Sequence, residues 1–92
     1  MTFREYIDKN EIPDTTIHSI FINKFAAYCK TELGMNVTVL RSLSGNMYVI
    51  YENFLTENPI KLFIFYYGTG TFYDWINQCE LLLVDYKLNL LK

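Results

Sequence analysis

The chain of 92 residues has one histidine, one tryptophan, two cysteines, two prolines and four glycines, and each scarcity removes a class of function. Two cysteines, Cys29 and Cys79, make no disulfide framework. Both lie inside apolar helical patterns, where a buried free thiol is the ordinary outcome. A zinc site needs about four ligands, or three and a water, and one histidine with two distant cysteines supplies no such spacing. The expectation is therefore no metal and no cofactor. No basic start leads into an apolar signal segment, and no apolar run approaches membrane-spanning length. A reducing cytoplasm and no membrane contact are the expected setting.

Charge of one sign is also lacking. Ten acids oppose eight bases, for a formal net charge of -2. Phosphate neutralisation wants clustered Lys and Arg, but Arg4, Lys9, Lys24, Lys30, Arg41, Lys61, Lys87 and Lys92 are scattered singly. Nucleic acid is thus disfavoured as a partner, with a gathering of Arg4, Lys9, Arg41 and Lys61 kept as an alternative. The acids are scattered too, and no dense carboxylate face emerges.

What the chain does have is apolar mass. The hydrophobic fraction is 51% and the aromatic fraction 17%, with eight tyrosines and seven phenylalanines. A chain this short buries a smaller share of its surface than a long one, so it needs a rich core, and some rings are expected to stay at the surface. The length fits one compact domain over residues 1–92.

Periodicity predicts the elements. Residues 2–8 form a short helix with Phe3, Tyr6 and Ile7 on one side, broken near Pro13. Asp14 or Thr15 is placed to cap the next helix. Residues 16–33 carry a helical stripe of Ile17, Ile20, Phe21, Phe25, Tyr28, Cys29 and Leu33, with Ile22 off the stripe and Gly34 as a stop. Residues 35–43 and 47–52 alternate around the turn signal Ser44-Gly45-Asn46 and read as a hairpin. Residues 60–67 make a third strand, with Ile60, Leu62, Ile64 and Tyr66 on one face and Lys61, Phe63, Phe65 and Tyr67 on the other. The final segment, from Phe72, has Trp75, Ile76, Cys79, Leu82, Leu83 and Tyr86 at helical spacing. Leu81, Val84, Leu88 and Leu91 widen that stripe, and its tail at 86–90 alternates enough to suit either helix or strand.

The predicted fold class is α+β in the order α-α-β-β-β-α, a small three-stranded antiparallel sheet with helices packed on one face. The β-β-β-α run preceded by a helix has the same element order as the double-stranded-RNA-binding domain. The likeness is one of order only. That domain makes phosphate and 2′-hydroxyl contacts, whereas Thr71-Phe-Tyr-Asp74 offers no Lys or Arg at the last helix start.

Chemical motifs are few. His18 with Asp14 four residues before it is the one base–carboxylate pair at helical spacing, and it is the basis of a hydrolase-like alternative. A histidine at a helix surface or cap is the plainer reading. Glu52 and Glu57, or Asp74 and Glu80, specify no acid–base pair of the kind that needs two environments across a cleft. Gly68-Thr-Gly70-Thr71 lacks the length and lysine of a Walker loop and the third glycine of a dinucleotide loop. It reads instead as a capping box, with Thr71 and Asp74 satisfying each other's backbone N–H groups.

The aromatics carry more. Protein interfaces favour rigid rings, and Tyr66, Tyr67, Phe72, Tyr73 and Trp75 crowd a glycine-marked turn. The functional expectation is a non-enzymatic protein-interaction module, such as a small inhibitor or accessory protein of a phage or mobile element. Its partner is a larger protein or a second copy, in a homodimer. Phe65, Tyr67, Tyr73, Leu88 and Leu91 are the expected protein-binding residues, with the alternative that helices cover the Phe63–Phe65 face.

Overall fold

In the computed structural model, the structure describes residues 1–44, 47–66 and 70–90, excepting the side chain of Leu90. The chain is a small α+β protein in the predicted order. Helix α1 spans Phe3–Lys9, α2 His18–Leu33 and α3 Phe72–Leu90, while strands β1, β2 and β3 span Val37–Arg41, Met47–Glu52 and Ile60–Tyr66. The strands form one antiparallel sheet in the order β1-β2-β3. Two compact units emerge, residues 1–16 with 70–92 and residues 17–69.

In the first unit α1 packs on α3. Thr2 caps α1 through a reciprocal box with Glu5: the Glu5 N–H donates to Thr2 Oγ1, and the Thr2 N–H donates to Glu5 Oε1, both at 3.1 Å. The Arg4 N–H, another first-turn donor with no partner inside the helix, donates to Glu80 Oε1 on α3 at 3.0 Å. The Arg4 guanidinium donates to Asn77 Oδ1 at 2.8 Å. Three of the helix's starting N–H groups are thereby satisfied, two of them by carboxylates that also suit the positive helix end. Along α3 the buried positions are Phe72, Ile76, Cys79 and Leu83, a stripe at four- and three-residue steps. The helix continues through the 86–90 tail to Leu90. Alternation over five residues does not overcome a helix already propagating with a hydrogen bond per added residue.

The second unit starts at α2, and its face differs from expectation. Ile17 is the N-cap and makes no side-chain cap bond, so neither Asp14 nor Thr15 caps this helix. Ile17 and Ile20 are exposed, whereas Ile22 is fully buried with Phe21, Phe25, Tyr28 and Cys29. The true stripe begins at His18 and runs through 22, 25 and 29. The start of the helix two residues later than expected leaves Ile17 in extended backbone, where the helical phase does not apply to it. Gly34 ends the helix with φ 65°, and the Met35 N–H closes back on the Cys29 carbonyl at 3.1 Å, a glycine-dependent stop.

The hairpin β1–β2 has the register Val39 opposite Ile50 and Arg41 opposite Tyr48. The Ser42 N–H donates to the Met47 carbonyl at 2.9 Å beyond the strand ends; Gly45 and Asn46 of the anticipated turn lie outside the described residues. Strand β3 pairs regularly from Tyr66 to Phe63, opposite Met47 to Ile50. A bulge then pairs Lys61 with Tyr51 and skips Leu62. Opposed residues share a sheet face, so one face carries the rows Val39–Ile50–Phe63 and Arg41–Tyr48–Phe65. Helix α2 lies on it: the Phe25 ring is 5.5 Å from Phe63 and 5.8 Å from Phe65, centroid to centroid.

Candidate functional site

Of the expected binding residues, Phe65 lies in the core. It has no exposed surface, because α2 lies on the face it shares with Phe63. Tyr73 and Leu88 are exposed at 59% and 55%, but fifteen residues of helix separate them by about 22 Å along α3. Tyr67 and Leu91 lie outside the described residues. Tyr73 lines a cavity of about 240 Å³ with Arg4, Asp8, Asp14 and an apolar floor of Ile7, Phe72 and Ile76. Leu88 instead joins Leu81 and Val84, exposed at 67% and 52%, in a stripe on the outside of α3.

The open surface of the sheet is the other face, built from the rows Leu40–Val49–Ile64, Thr38–Tyr51–Lys61 and Met47–Tyr66. Ile64 and Tyr66 are exposed, Leu40, Met47 and Tyr51 are half-buried, and Val49 between them is buried. Phe54, from the β2–β3 loop, packs its ring 5.4 Å from that of Tyr51. A shallow groove of about 250 Å³ runs over this face. Leu40, Leu43, Met47, Val49 and Tyr51 line it. Lys61 lines it from the same face; Arg41 also borders it, but its guanidinium lies over the Tyr48 ring on the covered face, 5.7 Å from the centroid.

Strict alternation puts Lys61 with Phe63 and Phe65, on the face that α2 covers. The bulge inserts one residue into the strand and so inverts the facing of everything before it. Lys61 therefore joins the open face beside Tyr51, and Ile60 moves to the Glu52 row. No residue-level signal in Ile60-Lys-Leu-Phe announces the skipped Leu62, so sequence reasoning missed this placement. The open face was legible as the set Leu62, Ile64 and Tyr66, but the neighbouring rings drew the expectation to its opposite.

His18 departs from the expected surface or capping position: it is buried, at 5% exposure. The Tyr48 ring meets it edge-on at 5.9 Å, and burial holds its imidazole below the ordinary histidine value. For a base whose folded pKa is depressed, the unfolded chain binds more protons as the pH falls. The stability that depends on neutral His18 is thus complete above the unfolded value of about 6.5, and it drains away as pH drops from there towards the folded pKa. Urea unfolding between pH 7.5 and 5 is expected to lose midpoint as pH falls, with His18→Phe flattening the slope. An unchanged slope in that variant refutes the assignment. The window lies above the range where Glu5 and Asp74 titrate, since their partners Thr2 and Thr71 hold both carboxyls low.

The Thr71–Asp74 cap forms as expected. The Thr71 N–H donates to Asp74 Oδ2 at 2.9 Å, the Thr71 hydroxyl to the same oxygen at 3.0 Å, and the Asp74 N–H to Thr71 Oγ1 at 3.4 Å. Gly70 precedes it with φ 76°, and a Cβ there would sit 3.1 Å from Asp74 Oδ2. The carboxylate thus occupies the helix start that a phosphate would need. Gly68 and Thr69 lie outside the described residues.

Burial pushes the Cys29 thiol up to about 12, which keeps it protonated and unreactive. Among the described residues no group of His, Cys, Asp and Glu side chains is arranged to hold a metal ion, and no helix is long and apolar enough to cross a membrane. No protein-family model, curated protein or solved structure matches the chain. The class that its geometry defines is a small α+β protein with one covered and one open sheet face.

Proposed function

We propose that this chain is a non-enzymatic protein-interaction module, which docks on a larger protein through the open face of its sheet. The observation that carries the reading is the unbroken apolar row Leu40–Val49–Ile64, flanked by Met47, Tyr66 and Tyr51, with a groove sunk into it. An apolar patch of this kind on a small protein marks an interaction site. Lys61 is the cation of this face, so the complementary partner presents an apolar side chain beside a carboxylate. The groove's size suits a side chain rather than a cofactor, whose pockets are larger, roughly 300–1,000 Å³.

The catalytic alternative has little to work with, since His18 is buried and held neutral. The nucleic-acid alternative needs basic groups free to meet phosphate, and the Arg4 guanidinium is committed to Asn77.

Affinity capture from the native host, followed by mass spectrometry, tests the proposal when it is run with Leu40→Asp and Met47→Asp beside the unaltered chain. Each variant is expected to weaken capture of the same protein by at least about tenfold, ~1.4 kcal/mol. Circular dichroism confirms that they fold. Loss of that protein with Tyr73→Ala, and its retention with both sheet variants, would move the site to α3 and defeat the reading.

A further inference from the structure

The sheet ends on β3, and that edge has the features of a strand meant to be paired. Among the described residues strand β3 has one strand neighbour, β2, so its outer row of N–H and C=O groups faces away from the sheet. Proteins that keep such edges solitary blunt them with lysine, proline, bulges or very short strands. Strand β3 has seven residues, and its two blunting devices are gathered at one end: Lys61 and the bulge at Leu62. The remaining run, Phe63-Ile-Phe-Tyr66, is regular, uncharged and free of proline. Ile64 and Tyr66 are exposed along it.

We infer that β3 pairs antiparallel with β3 of a second copy of this chain, about a two-fold axis through Ile64, to make a continuous six-stranded sheet. The inference concerns the strand edge and stands apart from the groove between β1 and β2.

Charge and register select this occupant. A two-fold axis perpendicular to the sheet sets Ile64 opposite its own copy, Phe63 opposite the second copy's Phe65, and Leu62 opposite the second copy's Tyr66. Every such pair is apolar or aromatic, the kind that stabilises neighbouring strands. The only charges on the strand, the two Lys61 side chains, fall at opposite ends of the seam and do not confront each other. Shifting the axis by one residue to Phe63 would set Lys61 opposite Phe65, a core residue with no exposed surface. The perpendicular axis also keeps both α2 helices on one side, so the two open faces join into one surface. The contact is isologous and closed, and it pairs the outer edges of both copies. The sheet's other edge is β1, which is shorter, at five residues, and short edge strands are poorer templates.

An edge-to-edge seam of this length buries less than the roughly 1,200 Å² of a stable complex, so the dimer is concentration-dependent. Light scattering on the unaltered chain is expected to give the monomer mass at low micromolar concentration and to approach twice that mass near millimolar. Ile64→Lys, which sets two ammonium groups opposite each other, is expected to hold the mass at that of the monomer throughout. Ile64→Cys is expected to form a disulfide dimer under mild oxidation, because directly opposed residues bring their Cβ atoms to about 4.5–5.5 Å. Ile60→Cys, displaced from the axis, is expected to form no disulfide. The native thiols do not compete, as Cys29 and Cys79 are both buried.

A monomer at every concentration of the unaltered chain overturns the inference, as does a dimer that survives Ile64→Lys. Crosslinking of Ile60→Cys in preference to Ile64→Cys does so too. The first of these readings needs no variant to fold. Since Leu40→Asp and Met47→Asp leave β3 intact, loss of partner capture and loss of the dimer are separable results.

Discussion

Phe25→Ala is expected to lower the free energy of unfolding by about 3–5 kcal/mol, the cost of deleting a fully buried ring and leaving a cavity. Phe25 has no exposed surface and is the residue by which α2 grips the sheet, with its ring against both Phe63 and Phe65. Aromatic pairs at these separations add to simple area burial, so the loss belongs at the upper end of the range. A domain of this size has roughly 5–15 kcal/mol in total, and removal of this one ring spends a large part of it. Urea unfolding followed by far-ultraviolet circular dichroism measures the change. A loss under about 1 kcal/mol would mean that α2 is not held on the sheet through these rings.

Ile22→Ala is expected to cost about 2–5 kcal/mol, while Ile20→Ala, two residues away, is expected to stay within about 0.5 kcal/mol of the unaltered chain. Ile22 is fully buried and Ile20 is 48% exposed, so the comparison reads the rotational phase of α2 directly. Equal losses, or a larger loss at Ile20, would place the buried stripe where helical spacing counted from Ile17 puts it. The same denaturation experiment serves both variants, and neither residue lies on the open sheet face. Partner capture by folded Ile20→Ala is accordingly expected to be unchanged.

The two proposals share Ile64 and Tyr66 but are separable at other groups. Docking uses side chains above the β1–β2 half, where the groove is. Self-pairing uses the backbone edge of β3. If both hold, the dimer presents two grooves on one surface, and a partner with two matching segments gains avidity from their fixed spacing.

Much of the fold was legible in the residues themselves. The helix α3, with Phe72, Ile76, Cys79 and Leu83 at regular spacing, needed only the 3.6-residue period. Gly34 announced the end of α2, because a left-handed stop favours glycine. The alternation in β2 and β3 and the Thr71–Asp74 cap were equally plain, since each depends on groups within a few residues of one another. The capping box at Thr2 and Glu5 obeys the same local chemistry, and its signal is a threonine followed three residues later by glutamate.

The candidate site was less legible, for a different physical reason. Strand β3 is apolar on both sides, so periodicity shows two possible buried faces and does not choose between them. The choice belongs to α2, which brings Phe25 onto Phe63 and Phe65 from some forty residues away in the chain. Local periodicity also has no access to the bulge that carries Lys61 across to Tyr51, because a bulge is a mismatch between two strands and neither strand contains it alone. By itself the sequence determined which segments are helix and strand, where they stop, and that no ready-made catalytic or phosphate-binding motif is present. Only the tertiary structure decided which face of the sheet is covered, which cation stands on the open face, and that His18 is buried, since burial is settled by distant segments meeting in space.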